Sequence, residues 1–229
     1  MGVYCNYIEL YKHKYMKCYK DDVLDVEISV LDVSNLILDY NQIGKFISKN
    51  KFDRLVRLKN ESDKKLLFGA EILLHDGCNK YKVDYNAKKY DQYGKPYIEG
   101  SNINFNVSHS GKYALCCFSK NNIGCDIEFI GEAYMDVAQR FYNKEEVLQL
   151  VNITDKKDRN RLFYDLWVLK ESFVKCLGKG LSIGLSDYYF TVVGNNYYRV
   201  KQNINSSKYE CRLFDIDDTY SIAVCLSIK

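Results

Sequence analysis

Charged side chains interrupt two otherwise apolar segments of this chain, about forty residues apart, and each interruption limits the folds open to it. The segments are residues 124–128, Gly-Cys-Asp-Ile-Glu, and residues 167–175, Trp-Val-Leu-Lys-Glu-Ser-Phe-Val-Lys. Because strand side chains alternate between faces, a strand over the first segment places Gly124, Asp126 and Glu128 together and apolar residues opposite. Two carboxylates on one face repel each other unless a cation or donors lie between them. The acids therefore line a cleft or lie on a solvated edge strand, and the pattern alone favours neither.

Gly124 bears on that choice, because a missing side chain on the acidic face leaves room for a ligand. The second segment predicts a helix with Trp167, Glu171 and Lys175 in one stripe, since residues four apart share a face. An exposed Glu–Lys pair at this spacing is common and contributes roughly a few tenths of a kcal/mol. The only tryptophan of the chain favours partial burial, where perturbed pKa values and functional roles concentrate.

If the two segments meet in a folded core, three carboxylates and a lysine converge there. Such a set suits a divalent cation and phosphate chemistry. The alternative, two solvated charged faces, has about equal weight on spacing alone.

Composition sets the class of protein. The 229 residues are 47% apolar and 28% charged, which is typical of a globular chain with a substantial core. The net charge of +3 is too small to indicate a nucleic-acid partner. No apolar run is long enough to span a membrane and the N-terminus lacks a signal sequence, so we expect a cytoplasmic protein. The nine cysteines form no CxxC pair and are expected to be buried, reduced thiols.

The periodicities predict an α+β chain in which strands and helices are grouped. Predicted strands cover residues 3–10, 24–32, 103–109, 113–119 and 123–129, with three or four more over 187–228. Predicted helices cover residues 62–77, 133–141, a segment from Asn143 with a capping box to Glu146, and a long segment from about 155 to 177. A boundary after residue 102 would give two subdomains, 1–102 and 103–229, each with strands and a major helix.

Three further motifs have competing interpretations. Ser108-His109-Ser110 ends a strand without the GxSxG elbow of a serine nucleophile, so it is either an anion site or an ordinary turn. Gly178-Lys-Gly180 follows a predicted helix and is best explained as its C-terminal cap. Basic residues between 49 and 65 form either a solvated face or a contact for a phosphate-rich cofactor or an acidic partner.

Five motifs, taken in order, resemble those of the 4′-phosphopantetheinyl transferases, in particular the long monomeric type that activates peptide synthetases such as the surfactin enzyme. The motifs are Tyr93-Gly-Lys-Pro96, Asn106-Val-Ser-His-Ser-Gly111, Gly124-Cys-Asp-Ile-Glu128, Phe141-Tyr142, and Trp167 to Lys175 followed by Gly178-Lys-Gly180. The resemblance covers about residues 93–186. It implies two similar α+β subdomains related by a pseudo-twofold axis, with the active site in the cleft between them.

The resemblance also implies a reaction and the residues that perform it. The phosphopantetheine arm of coenzyme A would move to a serine of an apo acyl or peptidyl carrier protein, releasing adenosine 3′,5′-bisphosphate. Mg²⁺ would bind Asp126, Glu128 and Glu171; Glu171 would also be the general base, and Lys175 would stabilise the departing phosphate. Coenzyme A would contact the residues Lys51, Arg54, Lys65, Lys95, Pro96, Ser108, His109 and Lys175.

The expected partners are coenzyme A and the carrier, which would dock near residues 134–141, with no nucleic acid, no membrane and a monomeric enzyme. Two other functions fit the residues. A metal-dependent phosphodiester hydrolase would use the same carboxylates on a nucleotide, without a protein partner. A non-catalytic module would bind coenzyme A or an acidic protein and would have no activity to lose on substitution of Glu171.

Overall fold

The computed structural model of the chain describes residues 2–180, 184, 186 and 188–228, with side chains from residue 7 onward. The helices in these ranges are α1 (Gly2–Tyr15), α2 (Tyr40–Phe46), α3 (Lys49–Arg57), α4 (Glu61–Tyr81), α5 (Met135–Phe141), α6 (Lys144–Asn152) and α7 (Lys156–Leu177). The strands are β1 (Met16–Asp21), β2 (Val26–Asp32), β3 (Lys88–Tyr90), β4 (Pro96–Ile98), β5 (Asn104–Ser110), β6 (Tyr113–Ser119), β7 (Ile123–Phe129), β8 (Tyr188–Gly194), β9 (Tyr197–Gln202), β10 (Lys208–Phe214) and β11 (Tyr220–Ile228).

Two large antiparallel sheets, each covered by one long helix, form most of the described structure, and β3 and β4 pair in a small third sheet. The first has the strand order β1-β2-β6-β5 and packs against α4, and the second has the order β7-β11-β10-β9-β8 and packs against α7. The predicted α+β class with two subdomains is confirmed. Strand pairing divides the chain between β6 and β7, because β5 and β6 complete the first sheet; the boundary after residue 102 stays a prediction.

The two sheets meet where their edge strands, β5 and β7, lie side by side. Side chains of β5 bond to β7: the Asn106 Oδ1 accepts from the Cys125 N–H at 2.9 Å, and the Ser110 Oγ accepts from the Phe129 N–H at 3.0 Å. Backbone donors on an edge strand need partners, and here side chains of the neighbouring sheet supply them. The acidic strand is therefore held between the two subdomains.

Gly124 lets β7 approach the backbone of α7. A Cβ at this position would lie 2.0 Å from the Ser172 carbonyl oxygen and 2.3 Å from the Cys176 nitrogen, which no side chain can tolerate. The expectation that Gly124 leaves room for a ligand is wrong, because the helix fills that space. The same contact directs the face that carries Asp126 and Glu128 toward α7.

The long helix α7 follows its sequence signals closely. Asp155 caps α7 by accepting from the Asp158 N–H, and Gly178 ends it in a left-handed conformation with φ of 71°. Asn143 and Glu146 form the predicted capping box at the start of α6. The strands predicted over residues 103–129 are also confirmed, as β5, β6 and β7.

Two predictions in the first subdomain are wrong. Residues 3–10 lie in α1 instead of a strand, and the rings of the tyrosines at 7, 11 and 15 contact one another along it in tilted pairs, with centroids 5.8 and 4.6 Å apart. The helix predicted over 62–77 continues to Tyr81 and ends at Lys82, which is left-handed. Gly77 lies inside this helix and does not end it. The absence of a side chain makes room for the ring of Phe118, since a Cβ at this position would lie 2.0 Å from that ring.

Most cysteines behave as predicted. All eight cysteines with described side chains are free, and seven of them are buried, Cys18 being the exposed one. Burial raises the pKa of thiols such as Cys116 and Cys225 well above the ordinary value, so these groups are unreactive. Within the described ranges, no helix combines the length and hydropathy needed for a membrane span.

Candidate active site

A cavity of about 450 Å³ opens between the two subdomains. One wall comes from the first subdomain and carries residues of α3 and α4: Lys51, Arg54, Leu67, Ala70 and Glu71. The other wall comes from β5, β7 and α7: Val107, Ser108, His109, Asp126, Glu128, Trp167, Glu171 and Lys175. The predicted meeting of the acidic strand with the Trp–Glu–Lys stripe of the helix is present in this cavity.

Asp126 lies at the centre of the second wall and is 3% exposed. Its Oδ1 accepts hydrogen bonds from the Ser108 Oγ at 2.7 Å and from the Lys175 Nζ at 2.6 Å. Its Oδ2 is buried and has no hydrogen-bond partner among the described residues. A buried carboxylate oxygen without a donor is costly. This oxygen therefore marks the place where a cation or donor would be stabilised.

The other two carboxylates hold protons more readily than ordinary glutamates. Burial raises the pKa of Glu128, and the neighbouring Asp126 raises it further, while Ser110 opposes the change by donating to Glu128 at 2.8 Å. Burial and Asp126 also raise the pKa of Glu171, which Lys175 partly offsets. A carboxylate whose pKa moves toward the working pH is better suited to accept a proton.

The two nitrogen bases in this wall have opposite character. Burial alone would lower the pKa of Lys175, but Asp126 together with Cys125 and Glu171 outweighs burial and raises the pKa, so the lysine stays charged. His109 is exposed at the cavity, and partial loss of its contact with water and then the charge of Lys175 lower its pKa. His109 is consequently a neutral imidazole near pH 7, able to donate one N–H to an anion.

The opposite wall contains an acid of a different kind. Glu71, on α4, is 4% exposed and lies within an otherwise apolar part of the helix. Its Oε1 pairs with the Lys51 Nζ at 2.9 Å. Its Oε2 accepts from the Lys88 Nζ at 2.7 Å and from the Tyr85 hydroxyl at 2.6 Å. Every carboxylate oxygen of Glu71 is thus occupied.

The carboxylates of the second wall do not yet form a finished metal site. Among the described residues, no three His, Cys, Asp or Glu side chains converge closely enough to hold a metal ion. The reason is visible in the bonds: Lys175 occupies one oxygen of Asp126, and Ser110 holds Glu128. Like charges stay apart until a cation neutralises them.

Comparison with known proteins decides the family. The family model of the 4′-phosphopantetheinyl transferase superfamily matches residues 122–225. The 4′-phosphopantetheinyl transferase Sfp of Bacillus subtilis (strain 168) is 30% identical over 79% of this chain and 82% of its own length. The chain belongs to the 4′-phosphopantetheinyl transferases.

Two further matches complete the comparison. The 4′-phosphopantetheinyl transferase ffp of Bacillus subtilis is 31% identical over 81% of this chain and 84% of its own length. A solved holo-[acyl-carrier-protein] synthase of Thermotoga maritima aligns over 47% of this chain and 63% of its own, with 19% identity and a TM-score of 0.40.

The transferase has a second hollow of about 310 Å³ beside the first, and the two share Val107, Glu171 and Lys175. It includes the predicted residues Lys95 and Pro96. The Lys95 Nζ donates to the backbone oxygens of Ile123 and Cys176, both at 3.0 Å, and burial lowers the pKa of Lys95. Lys95 therefore fastens its loop to β7 and to the last turn of α7.

The remaining predicted residues fall into two groups. Arg54, Ser108 and His109 line the first cavity, and Lys51 reaches it while paired to Glu71. Lys65 lines a different hollow, where it pairs with Glu61 at 3.0 Å and donates to the Ser34 carbonyl at 3.2 Å. Lys65 and the cavity residues are thus not brought together.

Two residues of the site were not among those predicted from the sequence, and each had a detectable signal. Ser110 contacts Glu128 as Ser108 contacts Asp126, so two serines spaced by two on β5 face two acids spaced by two on β7. Glu71 is the one acid in the apolar run from Leu66 to Leu74, where a charge needs buried partners. Neither signal identifies the partner without the fold.

Proposed function

We propose that this transferase moves the 4′-phosphopantetheine arm of coenzyme A to a serine of an apo acyl or peptidyl carrier protein, with Mg²⁺, and releases adenosine 3′,5′-bisphosphate. The observation that carries the proposal is one cavity that joins the three carboxylates of the second wall, one of them with an unpartnered buried oxygen, to cationic side chains. Hard cations prefer carboxylate oxygens, and lysine and arginine bind phosphates. A pyrophosphate with its cation matches both sets.

Mg²⁺ fits the residues in donor chemistry. The unpartnered Asp126 Oδ2 supplies one ligand, and rotation of the Glu128 and Glu171 side chains would supply the others. When bound, the ion neutralises the pyrophosphate charge and favours departure of the bisphosphate. Completing the proposed set of ligands requires the Glu128 and Glu171 side chains to leave their present positions. A bound cation would favour this movement, because it would offset the repulsion from Asp126 that raises the pKa of Glu128.

Glu171 is the proposed general base for the carrier serine. It lies on the helix wall between the two hollows, where both substrates can approach it. Its raised pKa improves its ability to take the hydroxyl proton, and its charged form is the one needed near pH 7. Lys175, which stays charged beside Asp126, is the proposed group that stabilises negative charge on the departing phosphate.

Coenzyme A is proposed to contact both hollows. Arg54, Lys51 and the neutral His109 supply donors for its phosphate groups around the first cavity. Pro96 and the neighbouring loop border the second, more apolar hollow, while Lys95 supports that loop through backbone oxygens. Lys65 is more remote, and its predicted role depends on a phosphate that extends to the hollow at residues 34–40.

The carrier is proposed to dock beside the acidic strand, near residues 134–141, against a monomeric enzyme. Phe129 and Tyr134 are 50% and 59% exposed there, and Arg140 lies on the adjacent helix. An acidic carrier helix would find an aromatic and basic contact on this surface.

The test mixes the protein with coenzyme A, Mg²⁺ and an apo carrier, and weighs the carrier by mass spectrometry. The carrier should gain one phosphopantetheine, and Asp126→Ala should abolish the gain while circular dichroism stays unchanged. No gain across several acyl and peptidyl carriers would overturn the proposal. Consumption of coenzyme A without a carrier would instead indicate a hydrolase.

A further inference from the structure

The first wall of the cavity contains a buried charge network, and the proposed function uses only one member of it, Lys51. Glu71 of α4 bonds to Lys51 of α3, to Lys88 of β3 and to Tyr85 just before β3. Glu71, Tyr85 and the Lys88 side chain are nearly inaccessible, at 4%, 5% and 7% exposed, whereas the Lys51 side chain is 22% exposed. One end of the network is thus sealed in the protein, and the other end opens into the cavity.

The partners of Glu71 keep it charged. Burial alone would raise the pKa of this carboxyl, but Lys51, Lys88 and the Tyr85 hydroxyl outweigh burial and lower the pKa below the ordinary glutamate value. Two ammonium groups face one carboxylate, so the network presents one uncompensated positive charge. The lysine that reaches the cavity is Lys51, and Arg54 adds a second cation one turn further along α3.

The two oxygens of Glu71 have different partners, on opposite sides of the network. Lys88 and Tyr85 both occupy Oε2 and fix the carboxylate plane, which leaves Oε1 to Lys51 alone. A free lysine side chain loses rotamer entropy when it is held in place. A lysine already held by Glu71 has lost most of that freedom before an anion arrives, which strengthens binding through preorganisation.

We propose that Glu71 is a positioning residue that holds the Lys51 ammonium at the cavity wall for an anionic group of coenzyme A. The inference rests on the proposed function, since it deepens the binding of that substrate. Glu71 acts through Lys51 and does not touch the reacting atoms. Its effect is therefore on substrate binding and leaves the chemical step unchanged.

A double-mutant cycle tests the role, with the probe adenosine 3′,5′-bisphosphate and its dissociation constant measured by calorimetry. In the wild-type protein, Lys51→Met should weaken binding about tenfold, the size expected for a charge-assisted hydrogen bond. In the Glu71→Gln background, the same substitution should cost less than about threefold, because Lys51 is no longer held. Equal factors in both backgrounds would overturn the proposal.

A second variant separates position from charge and guards against misfolding. Glu71→Asp keeps the charge but withdraws the carboxylate by one methylene, so Lys51→Met should again cost less than about threefold in that background. If the tenfold cost persists in the Glu71→Asp background, charge alone matters and positioning is refuted. Glu99→Gln, which breaks the exposed pair with Lys89, is the matched control and should leave Lys51 fully effective.

Steady-state kinetics gives a readout that a purely structural role would not reproduce. Glu71→Gln should raise KM for coenzyme A several-fold and change kcat by less than about twofold. A parallel loss of kcat would overturn the positioning role. If the wild-type protein modifies the carrier but the effects of Lys51→Met and Glu71→Gln on binding are additive, only the positioning role of Glu71 is refuted, and the proposed function stands. Absence of carrier modification would refute the proposed function, and absence of bisphosphate binding would refute both.

Discussion

Two buried carboxylates face each other across the cavity, and their partners differ. Glu71 has both oxygens occupied, by two lysines and a tyrosine. Asp126 has one oxygen shared by Ser108 and Lys175 and the other without a partner in the described part of the chain. The exposures are 4% and 3%, so burial does not distinguish them.

The difference indicates what each wall is built to bind. An acid with every oxygen satisfied organises the cations around it, and its surplus of lysines leaves a positive surface for anions. An acid with an unpartnered buried oxygen, next to two more carboxylates, creates a demand for a cation. A substrate made of phosphates and a divalent ion meets both demands at once.

The largest expected effect is on kcat, which should fall far more on substitution of Asp126 than on substitution of Glu71. Asp126→Asn should lower kcat about 100-fold or more, because the proposed metal ligand and the partner of Lys175 would be lost together. Glu71→Gln should change kcat by less than about twofold, since it acts on binding. Carrier modification followed under saturating coenzyme A measures both. Similar losses of kcat in the two variants would erase the distinction.

The effects on stability should have the opposite order, with Glu71→Gln more destabilising than Asp126→Asn. Glu71→Gln should lower the free energy of unfolding by about 3 kcal/mol at pH 7, because it leaves Lys88 buried without a counter-ion. The folded-state pKa of Glu71 lies below its unfolded value, so its contribution is present above the ordinary glutamate pKa and is lost as pH falls through the folded one. Urea unfolding from pH 7 to pH 3 should show the wild type and the variant converging. A constant difference would contradict this.

Mg²⁺ should stabilise the protein only through the acidic wall. A ligand at 100 times its dissociation constant adds about 2.7 kcal/mol to the free energy of unfolding. The melting temperature should therefore rise with Mg²⁺ for the wild type and for Glu71→Gln, and stay constant for Asp126→Asn. Equal rises in all three would place the ion elsewhere.

The smallest effect concerns Glu128 in the metal-free protein. Burial and the nearby Asp126 disfavour its charge, so Glu128→Gln should raise the free energy of unfolding by about 1 kcal/mol at the expense of activity. Chemical denaturation in the presence of a chelator measures the gain. Glu99→Gln, at an exposed pair, should stay within about 0.5 kcal/mol of the wild type. A destabilised Glu128→Gln would show that Ser110 compensates fully for the repulsion.

The sequence was sufficient for elements with strong local periodicity. The alternation at Asp126 and Glu128 and the four-residue spacing of Glu171 and Lys175 predicted both elements and the residues that share each face. That the two faces meet in one cavity was implied by the family resemblance, because spacing alone gave equal weight to two solvated faces. The Asp155 and Gly178 signals delimited α7. Local spacing decides these features, because side-chain direction follows directly from strand and helix geometry.

The sequence was insufficient wherever distant contacts decide. From the sequence, Gly124 was interpreted as room for a ligand and Gly77 as the end of a helix, yet each accommodates a neighbour that only the fold brings close. Lys51 and Lys65 look equivalent in a basic stretch, but one pairs with Glu71 at the cavity and the other with Glu61 outside it. Residues 3–10 were wrongly predicted to be a strand. The contacts among the rings of tyrosines 7, 11 and 15 extend beyond that segment, to the end of the helix.

The contact of Gly124 with α7 has a consequence for how this enzyme can evolve. Backbone atoms, which no substitution alters, set the separation between β7 and α7, and with it the spacing from Asp126 to Lys175. Substitution of a buried residue of α7 such as Phe173 is therefore expected to cost stability while that spacing changes little. A single methyl group at position 124 would have the opposite outcome, moving one half of the active site away from the other.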